Sequence, residues 1–276
     1  AAIRAAQLGF SAACCESNPY ADPKGEPRLG GTCLNVGCIP SKALLHTSHL
    51  FEEAGHAFEG QGISVGTPKI DVPKMIARKS GIVDQLTGGI KGLFKKNKVT
   101  LLNGHGAFVG KADAGWQVQV GEELVTAKQV IVATGSAPRH LPGVPVDNKI
   151  VCDNVGALDL DAVPKKLAVI GAGVIGLEMG SVWRRLGAEV TVLEAMPEFL
   201  SLADQDVAKE ALKIFTKQGL QFNLGVTIGE VKVGKKGVSI AYKDKDGADQ
   251  KLEADRPTDT IRRSASSFWS APSLSL

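Results

Sequence analysis

The segment LAVIGAGVIGLEMGSVWRRLGAEVTVLE, residues 167–194, combines three local patterns. The apolar run Leu167–Ile170 is typical of a buried strand, and the glycines that follow indicate a tight turn. Gly176–Gly187 has helical periodicity, and Glu189–Glu194 has the character of a second strand. Strand, helix and strand at this spacing predict a βαβ unit, which requires a parallel sheet. We therefore predict an α/β fold.

The turn Gly171–Gly176 has the pattern G-x-G-x-x-G, directly after the strand and at the start of the helix. In a dinucleotide-binding unit the first glycine makes the tight turn, and the second lets the backbone approach a pyrophosphate. The third lets the helix pack closely on the strand. The helix N-terminus adds N–H groups and a partial positive charge. Glycine-rich turns are common, so the strand–turn–helix context is what predicts nucleotide binding here.

Glu194 ends the second strand, 18 residues after Gly176. An acidic side chain at this position accepts hydrogen bonds from the adenosine ribose of a dinucleotide. The same carboxylate repels a 2′-phosphate, which favours NAD over NADP. The alternative is a surface glutamate at a strand end, without a role in binding.

The first residues match the second half of such a unit. Residues 1–9 have the spacing of a helix that ends at Gly9, and a β-type run leads from Phe10 to Glu16. We expect the strand and glycine turn of this unit to lie before Ala1, where they would bind a second dinucleotide. Cys14 and Cys15 are interpreted as small, buried strand residues.

Weaker patterns cover the rest of the chain. Helical periodicity runs from Cys33 to Ala54 and from Pro73 to Lys96, and short strands are expected between Val99 and Val132. Val231–Glu253 predicts short antiparallel strands joined by glycine-containing turns. From Pro257 onward the sequence is rich in serine and has no period, so we expect irregular structure there.

The composition excludes several classes of protein. Of 276 residues, 43% are hydrophobic and 22% charged, which is typical of globular proteins. A net charge of +3 is too small to indicate nucleic-acid or membrane-surface binding, and no apolar stretch is long enough to span a bilayer. Five cysteines are too few for a secreted disulfide scaffold. Since no secretion signal is visible, we expect a cytoplasmic protein.

Cys33 and Cys38 are separated by four residues in GGTCLNVGCIP, residues 30–40. Thiols this close interconvert between a dithiol and a disulfide with little backbone movement, and the flanking glycines permit the bend. A following helix N-terminus favours a thiolate. One alternative is a pair of free cysteines in a helix. The other is a zinc site completed by His46 and His49, although both spacings depart from common zinc motifs. Redox chemistry is favoured, and no metal is expected.

The segment GGTCLNVGCIPSKALL, residues 30–45, resembles the active-site signature of the flavin-dependent pyridine-nucleotide disulfide oxidoreductases. Within this family the resemblance is strongest to the members that oxidise dihydrolipoamide. The turn Ala133–Ser136 and the run GAGVIGLE, residues 171–178, resemble further segments of the family. The similarity extends from Ala1 to about Asp255.

The resemblance implies two Rossmann-like dinucleotide-binding domains, first for FAD and then for NAD, followed by a central and a dimer-interface domain. It implies that Cys33 exchanges with the lipoyl group, that Cys38 faces the flavin, and that Lys42 lies against the flavin and pairs with Glu178. The implied catalytic residues are Cys33, Cys38, Lys42 and Glu178. The implied FAD contacts are Glu16, Thr32, Lys42, Gly106, Thr134, Gly135 and Ser136. The implied NAD contacts are Gly171, Ala172, Gly173, Val174, Ile175, Gly176, Glu178, Glu194 and Ile228.

We accordingly expect residues 1–149 to form an FAD-binding domain without its first strand and glycine turn. Residues 150–255 are expected to form an incomplete NAD-binding domain, and 256–276 an irregular serine-rich tail. The predicted function is oxidation of dihydrolipoamide by NAD through a Cys33–Cys38 disulfide and FAD. The implied partners are the lipoyl group of a 2-oxoacid dehydrogenase complex and, in the family, a second subunit, although nothing here resembles the dimer-interface domain. The alternative is a nucleotide-binding fragment without turnover.

Overall fold

The computed structural model describes residues 1–234 and 237–255, and the backbone of residues 260–262. These residues form two compact units. The first contains Ala1–Pro40 and Ser80–Ser136, and the second contains Ser41–Lys79 and the described residues from Ala137 onward. The division of the chain into FAD-binding and NAD-binding domains at residue 149 stays a prediction.

The first unit combines helices with two small sheets. Its helices are α1 (Ala2–Gln7), α2 (Gly31–Val36), the first residues of α3 (Cys38–His56) and the end of α4 (Val72–Lys96). Its strands are β1 (Ala13–Glu16), β2 (Thr100–Asn103), β3 (Gly106–Ala112), β4 (Gly115–Val120) and β5 (Glu123–Ala127). Strands β1 and β2 pair in parallel, whereas β3, β4 and β5 form an antiparallel meander.

Two local predictions for this unit are confirmed. Helix α1 ends as expected before Gly9, whose φ of 89° lies in the left-handed region that favours glycine. Helix α4 covers the whole of the predicted range from Pro73 to Lys96 and begins one residue earlier. The expectation of strands up to Val132 is wrong, because β5 ends at Ala127 and the run that follows has no strand. Ile131 in that run is 71% exposed, and a strand needs a hydrogen-bonded neighbour as well as an apolar sequence.

The second unit is built on a parallel sheet with helices. Its remaining elements are β6 (Val151–Cys152), α5 (Asn154–Ala157), β7 (Lys166–Ile170), α6 (Val174–Arg185), β8 (Glu189–Glu194), α7 (Gln205–Lys217), β9 (Leu220–Leu224), β10 (Thr227–Gly234), β11 (Gly237–Lys243), β12 (Asp249–Ala254) and β13 (Thr260–Arg262). The sheet order is β6-β13-β7-β8-β9, and all its pairs are parallel. The predicted βαβ unit is therefore confirmed as β7–α6–β8. Strands β10, β11 and β12 form the expected antiparallel sheet.

The strand β13 corrects the prediction for the end of the chain. The segment after Pro257 was expected to be irregular, yet the backbone of Thr260–Arg262 pairs with both β6 and β7. A short strand between two existing strands gains backbone hydrogen bonds on both edges, so it does not require a long apolar run of its own. The rest of the predicted serine-rich tail, residues 256–259 and 263–276, lies outside the described residues.

Helix α6 packs against the sheet through glycines. A Cβ on Gly176 would lie 3.0 Å from the Val169 side chain, which is tighter than ordinary contact, whereas a Cβ on Gly180 would be in ordinary van der Waals contact with Leu220 and Val190 at 3.4 Å. Trp183, three residues later, is fully buried, as are the central strand residues Val169 and Val192. Glu178 lies between the glycines of this face and points elsewhere, toward α3. Among residues 1–234 and 237–255, no helix is long and apolar enough to cross a membrane.

Candidate active site

The two cysteines of the motif form a disulfide bond, as predicted. Cys33 lies on α2 and Cys38 is the first residue of α3, and their Cα atoms are 4.7 Å apart. Both residues are exposed. Because both cysteines are exposed, a dithiol can reach the disulfide bond. The small ring that the bond closes allows exchange with little backbone movement.

Gly37 allows the two halves of this ring to approach each other. A Cβ at this position would lie 3.0 Å from the Thr32 carbonyl oxygen and 3.1 Å from the Cys33 Cα. Both contacts are with backbone atoms, which cannot turn aside as a side chain can. The expectation that the neighbouring glycines permit the bend is therefore confirmed for Gly37.

Asn35, between the two cysteines, was missed by the sequence analysis. Its side chain is buried, and its Nδ2 donates to the Gly31 carbonyl oxygen at 2.9 Å and more weakly to that of Leu29 at 3.4 Å. These bonds fix the first turn of α2. Its Oδ1 is buried and has no partner among the residues that the structure describes, so it is an acceptor available to a bound group. Only the tertiary structure reveals this, because asparagine in a helix has several ordinary roles.

Three of the predicted FAD contacts lie together. The Thr32 hydroxyl donates to the Ser136 carbonyl oxygen at 3.1 Å, and the Ser136 hydroxyl lies 3.3 Å from the Thr32 Oγ1. Gly135 adjoins them, with a φ of 77°. This contact joins the start of α2 to the turn Thr134–Ser136, which is 104 residues distant in sequence.

Glu16 and Gly106 lie at a different place in the same unit, at the end of β1 and the start of β3. The Glu16 Oε1 accepts from the Asn18 N–H at 2.9 Å. Partial burial raises the pKa of the Cys14 thiol, and the neighbouring Glu16 carboxylate raises it further. Burial also raises the pKa of the Cys15 thiol. Both thiols therefore stay protonated at neutral pH, which agrees with a structural role. The prediction that both are buried is wrong, because Cys14 is half-buried and Cys15 is exposed.

In the second unit, Lys42 and Glu178 form the expected pair. The Lys42 Nζ lies 2.5 Å from the Glu178 Oε1. The Ser41 hydroxyl, which the sequence analysis did not single out, donates to the other carboxylate oxygen, Oε2, at 2.8 Å. Farther along the same two helices, the Arg185 Nε lies 3.2 Å from the Glu52 Oε2. Helices α3 and α6 are thus linked by polar contacts at two positions along their length.

The predicted glycine turn has the geometry of a phosphate-binding loop. Gly171 has a φ of 108°, and a Cβ on Gly176 would lie 2.2 Å from the Gly171 carbonyl oxygen. These two positions therefore require glycine. A Cβ on Gly173 would meet nothing within 4 Å, so this position faces open space at the start of α6. The arrangement leaves room for a pyrophosphate against the first N–H groups of the helix, and the residues present fit a dinucleotide.

The Glu194 carboxylate is buried beside this loop. Its Oε2 accepts from the Ala172 N–H at 2.7 Å, and its Oε1 accepts from the Met196 N–H at 2.8 Å. A carboxylate beside a glycine loop is the group that the sequence pattern expects near an adenosine ribose. The alternative of a plain surface glutamate does not describe this buried position. Ile228 lies on β10 and packs, partly buried, against the core.

The zinc alternative does not match the arrangement of its four residues. Cys33 and Cys38 are bonded to each other, while His46 and His49 are exposed on α3. The His49 Nε2 lies 3.5 Å from Glu53, one turn along the helix. Within the described part of the chain, no group of three or more histidine, cysteine, aspartate or glutamate side chains could hold a metal ion.

Residues 1–262 match the family described as pyridine nucleotide-disulphide oxidoreductase. The chain belongs to this family. It is 66% identical over 256 residues to the dihydrolipoyl dehydrogenase of Cupriavidus necator, an alignment that covers 93% of the chain and 54% of that protein. It is 46% identical over 257 residues to the mitochondrial dihydrolipoyl dehydrogenase 1 of Arabidopsis thaliana, covering 92% of the chain and 49% of that protein.

The family fold is also seen in solved structures. LpdA from Mycobacterium tuberculosis superposes with a TM-score of 0.80 over 96% of this chain and 55% of that one, at 22% sequence identity. The chain thus spans about half the length of the relatives that it matches.

The second and third glycines of the loop, Gly173 and Gly176, provide a matched test of its geometry. We expect Gly176→Ala to lower the free energy of unfolding by about 1–3 kcal/mol, because the new methyl group overlaps a backbone oxygen. Gly173→Ala is expected to change stability by less than about 0.5 kcal/mol, since its methyl group meets open space. The same methyl group should weaken NAD binding. Urea unfolding and calorimetric titration measure both effects, and unchanged NAD affinity in Gly173→Ala would contradict the loop assignment.

The close contact at Gly37 predicts a redox effect. We expect Gly37→Ala to shift the thiol–disulfide equilibrium of Cys33 and Cys38 several-fold toward the dithiol, because the disulfide ring holds the added methyl group against backbone atoms at an overpacking cost of about 1 kcal/mol. Thiol content after equilibration in glutathione buffers measures this shift. Gly81→Ala is the control, because a Cβ at Gly81 meets nothing within 4 Å. An equal shift in both variants would show that the contact at Gly37 is not the cause.

Proposed function

We propose that this chain is part of a flavin-dependent disulfide oxidoreductase that oxidises dihydrolipoamide with NAD. The observation that carries the proposal is the exposed Cys33–Cys38 disulfide at the start of α3. The proposal is supported by 66% identity to a protein named dihydrolipoyl dehydrogenase, which is far above the level that indicates fold alone.

The two cysteines have different positions, which supports different roles. Cys38 is the first residue of a 19-residue helix, where the helix dipole stabilises a negative charge. A thiol at such a site is the better leaving group, because its thiolate is favoured. We therefore propose that Cys33 is the interchange residue and that Cys38 leaves as the thiolate and faces the flavin.

The exchange proceeds in two steps. A thiolate of dihydrolipoamide attacks the Cys33 Sγ, forms a mixed disulfide and releases Cys38 as a thiolate. The second lipoyl thiol, as its thiolate, then attacks the lipoyl sulfur of the mixed disulfide and releases Cys33. The lipoyl group is thereby oxidised by two electrons, the cysteine pair is reduced, and the two thiol protons pass to acceptors or solvent.

FAD is proposed as the group that returns the cysteines to the disulfide; when bound, it would pass their electron pair to NAD. The residues proposed to contact it include Thr32 and the turn Thr134–Ser136, whose mutual hydrogen bond places hydroxyl groups next to α2. The unpartnered Oδ1 of Asn35 fits a donor group there. Glu16, Gly106 and Lys42 are proposed as further contacts.

NAD is proposed to bind at the loop Gly171–Gly176, with its phosphates at the N-terminus of α6. Glu194 is proposed to accept from the adenosine ribose, and Glu178, Lys42 and Ile228 to complete the sites as the family resemblance implies. The lipoyl group of a 2-oxoacid dehydrogenase complex, a second subunit and a cytoplasmic location are proposed for the whole protein on the same basis.

The redox role predicts a thiol count. Mild reduction of the purified chain is expected to add two titratable thiols, because one disulfide opens. Cys33→Ser and Cys38→Ser should add none, and in the full-length protein either change should abolish lipoamide-dependent NAD reduction. Cys15→Ser is the control, because Cys15 is an exposed free cysteine, and this variant should still gain two thiols. An unchanged count in the wild-type chain would rule out the redox function.

Glu194 predicts the cofactor preference. We expect NAD to bind more tightly than NADP. Glu194→Gln should lower the ratio of the NADP dissociation constant to the NAD dissociation constant by roughly tenfold or more. Like charges 4 Å apart repel by about 1 kcal/mol in water and about 4 kcal/mol near a protein surface, and the substitution removes this repulsion. Glu189→Gln, at the exposed start of β8, is the matched control. Equal affinities for both cofactors in the wild-type chain would contradict the role of Glu194.

A further inference from the structure

We propose that Ser41 is a positioning residue that holds the Glu178 carboxylate in the orientation that binds Lys42. Each carboxylate oxygen has its own donor in this cluster, since Lys42 contacts Oε1 and the Ser41 hydroxyl contacts Oε2. The role of the Lys42–Glu178 pair at the cofactor sites rests on the proposed function. The arrangement of the three side chains does not.

The two donors differ in how firmly they are held. The Lys42 side chain is 60% exposed and has a long, flexible stem, whereas Ser41 is only 6% exposed. An ion pair this exposed is weakened by water and by the entropy of ordering a lysine. A buried serine has one side-chain torsion, and its hydroxyl forms a charge-assisted hydrogen bond to the carboxylate. Ser41 therefore supplies orientation and Lys42 supplies charge.

Neighbouring positions on a helix account for this division. Successive residues are rotated by about 100° around the axis, so Ser41 and Lys42 approach Glu178 from two sides. Arg185 and Glu52 join the same helices elsewhere and do not depend on Ser41. Removal of the Ser41 hydroxyl is therefore expected to free the carboxylate without separating the helices.

Zero-length cross-linking tests this arrangement without any cofactor. A water-soluble carbodiimide activates carboxylates, and an amine in contact displaces the activating group to form an amide. Glycine ethyl ester is added as a competing amine. Mass spectrometry then gives, at Glu178, the ratio of the Lys42 amide to the ester adduct, which does not depend on how fast the carboxylate is activated. The Asp22–Lys91 pair, 3.0 Å apart in the first unit, provides an internal standard.

We expect Ser41→Ala to lower the Glu178 ratio about tenfold, the change in population that about 1.4 kcal/mol produces. Ser41→Thr keeps the hydroxyl and should keep the wild-type ratio. Ser48→Ala, which changes another buried serine of α3, should also keep it. The Asp22 ratio should be constant in all variants.

A wild-type ratio in Ser41→Ala, or an equal fall in Ser41→Thr, would overturn the proposal. If Ser41→Ala also lowered the Asp22 ratio, the fold would be affected, and Ser41→Cys, with similar volume and a weaker donor, would replace it with the same expected fall. The two proposals can also fail separately. If the cross-linking ratios changed as expected but the chain gained no thiols on reduction, the proposed function would be contradicted and the role of Ser41 would stand.

Discussion

The contact between Gly176 and the carbonyl oxygen of Gly171 sets the position of α6, and much of the second unit follows from it. A Cβ on Gly176 would lie 2.2 Å from that oxygen, where there is no room for it. Because Gly176 has no Cβ, the helix can begin directly against the turn. Gly180, one turn later, lies on the same face of the helix, where even a Cβ would be in van der Waals contact with the sheet. Glu178 lies about 160° around the helix from Gly180 and is thereby directed away from the sheet. The position of the acidic partner of Lys42 is thus a consequence of glycine packing on the other side of the helix.

The predictable parts of the fold are those whose information is local. The βαβ unit has its strand, turn and helix signals within residues 167–194, and the structure has all three. Strand pairing between distant segments was less predictable. The run Val130–Ala133 has a strand sequence without a strand, and Thr260–Arg262 forms a strand without a clear sequence signal, because each outcome depends on which backbone lies beside it.

The candidate site shows the same limit. The disulfide was predictable from two cysteines in one short segment, and the pairing of Lys42 with Glu178 was predictable only from the family resemblance. Ser41 and Asn35 escaped notice because their contacts are made by common polar side chains, with partners that sequence spacing does not identify. Ser41 bonds a residue 137 positions away, and Asn35 bonds backbone atoms. The roles of such residues depend on contacts that form only in the folded protein, so the sequence alone does not predict them.

Glu194 illustrates how a proposed recognition residue can also be tied to the local backbone. Its carboxylate lies beside a candidate ribose site. It also accepts hydrogen bonds from the N–H of Ala172, inside the glycine loop, and from the N–H of Met196, after the strand. A substitution that removed the acid would therefore also leave backbone donors in need of new acceptors, one for Glu194→Gln and two for a side chain without an acceptor oxygen. Adaptation of such a site to a phosphorylated ribose would require at least two coordinated changes, one for the ligand and one for the loop. At the proposed NAD site, cofactor preference would in this way be tied to the integrity of the glycine turn.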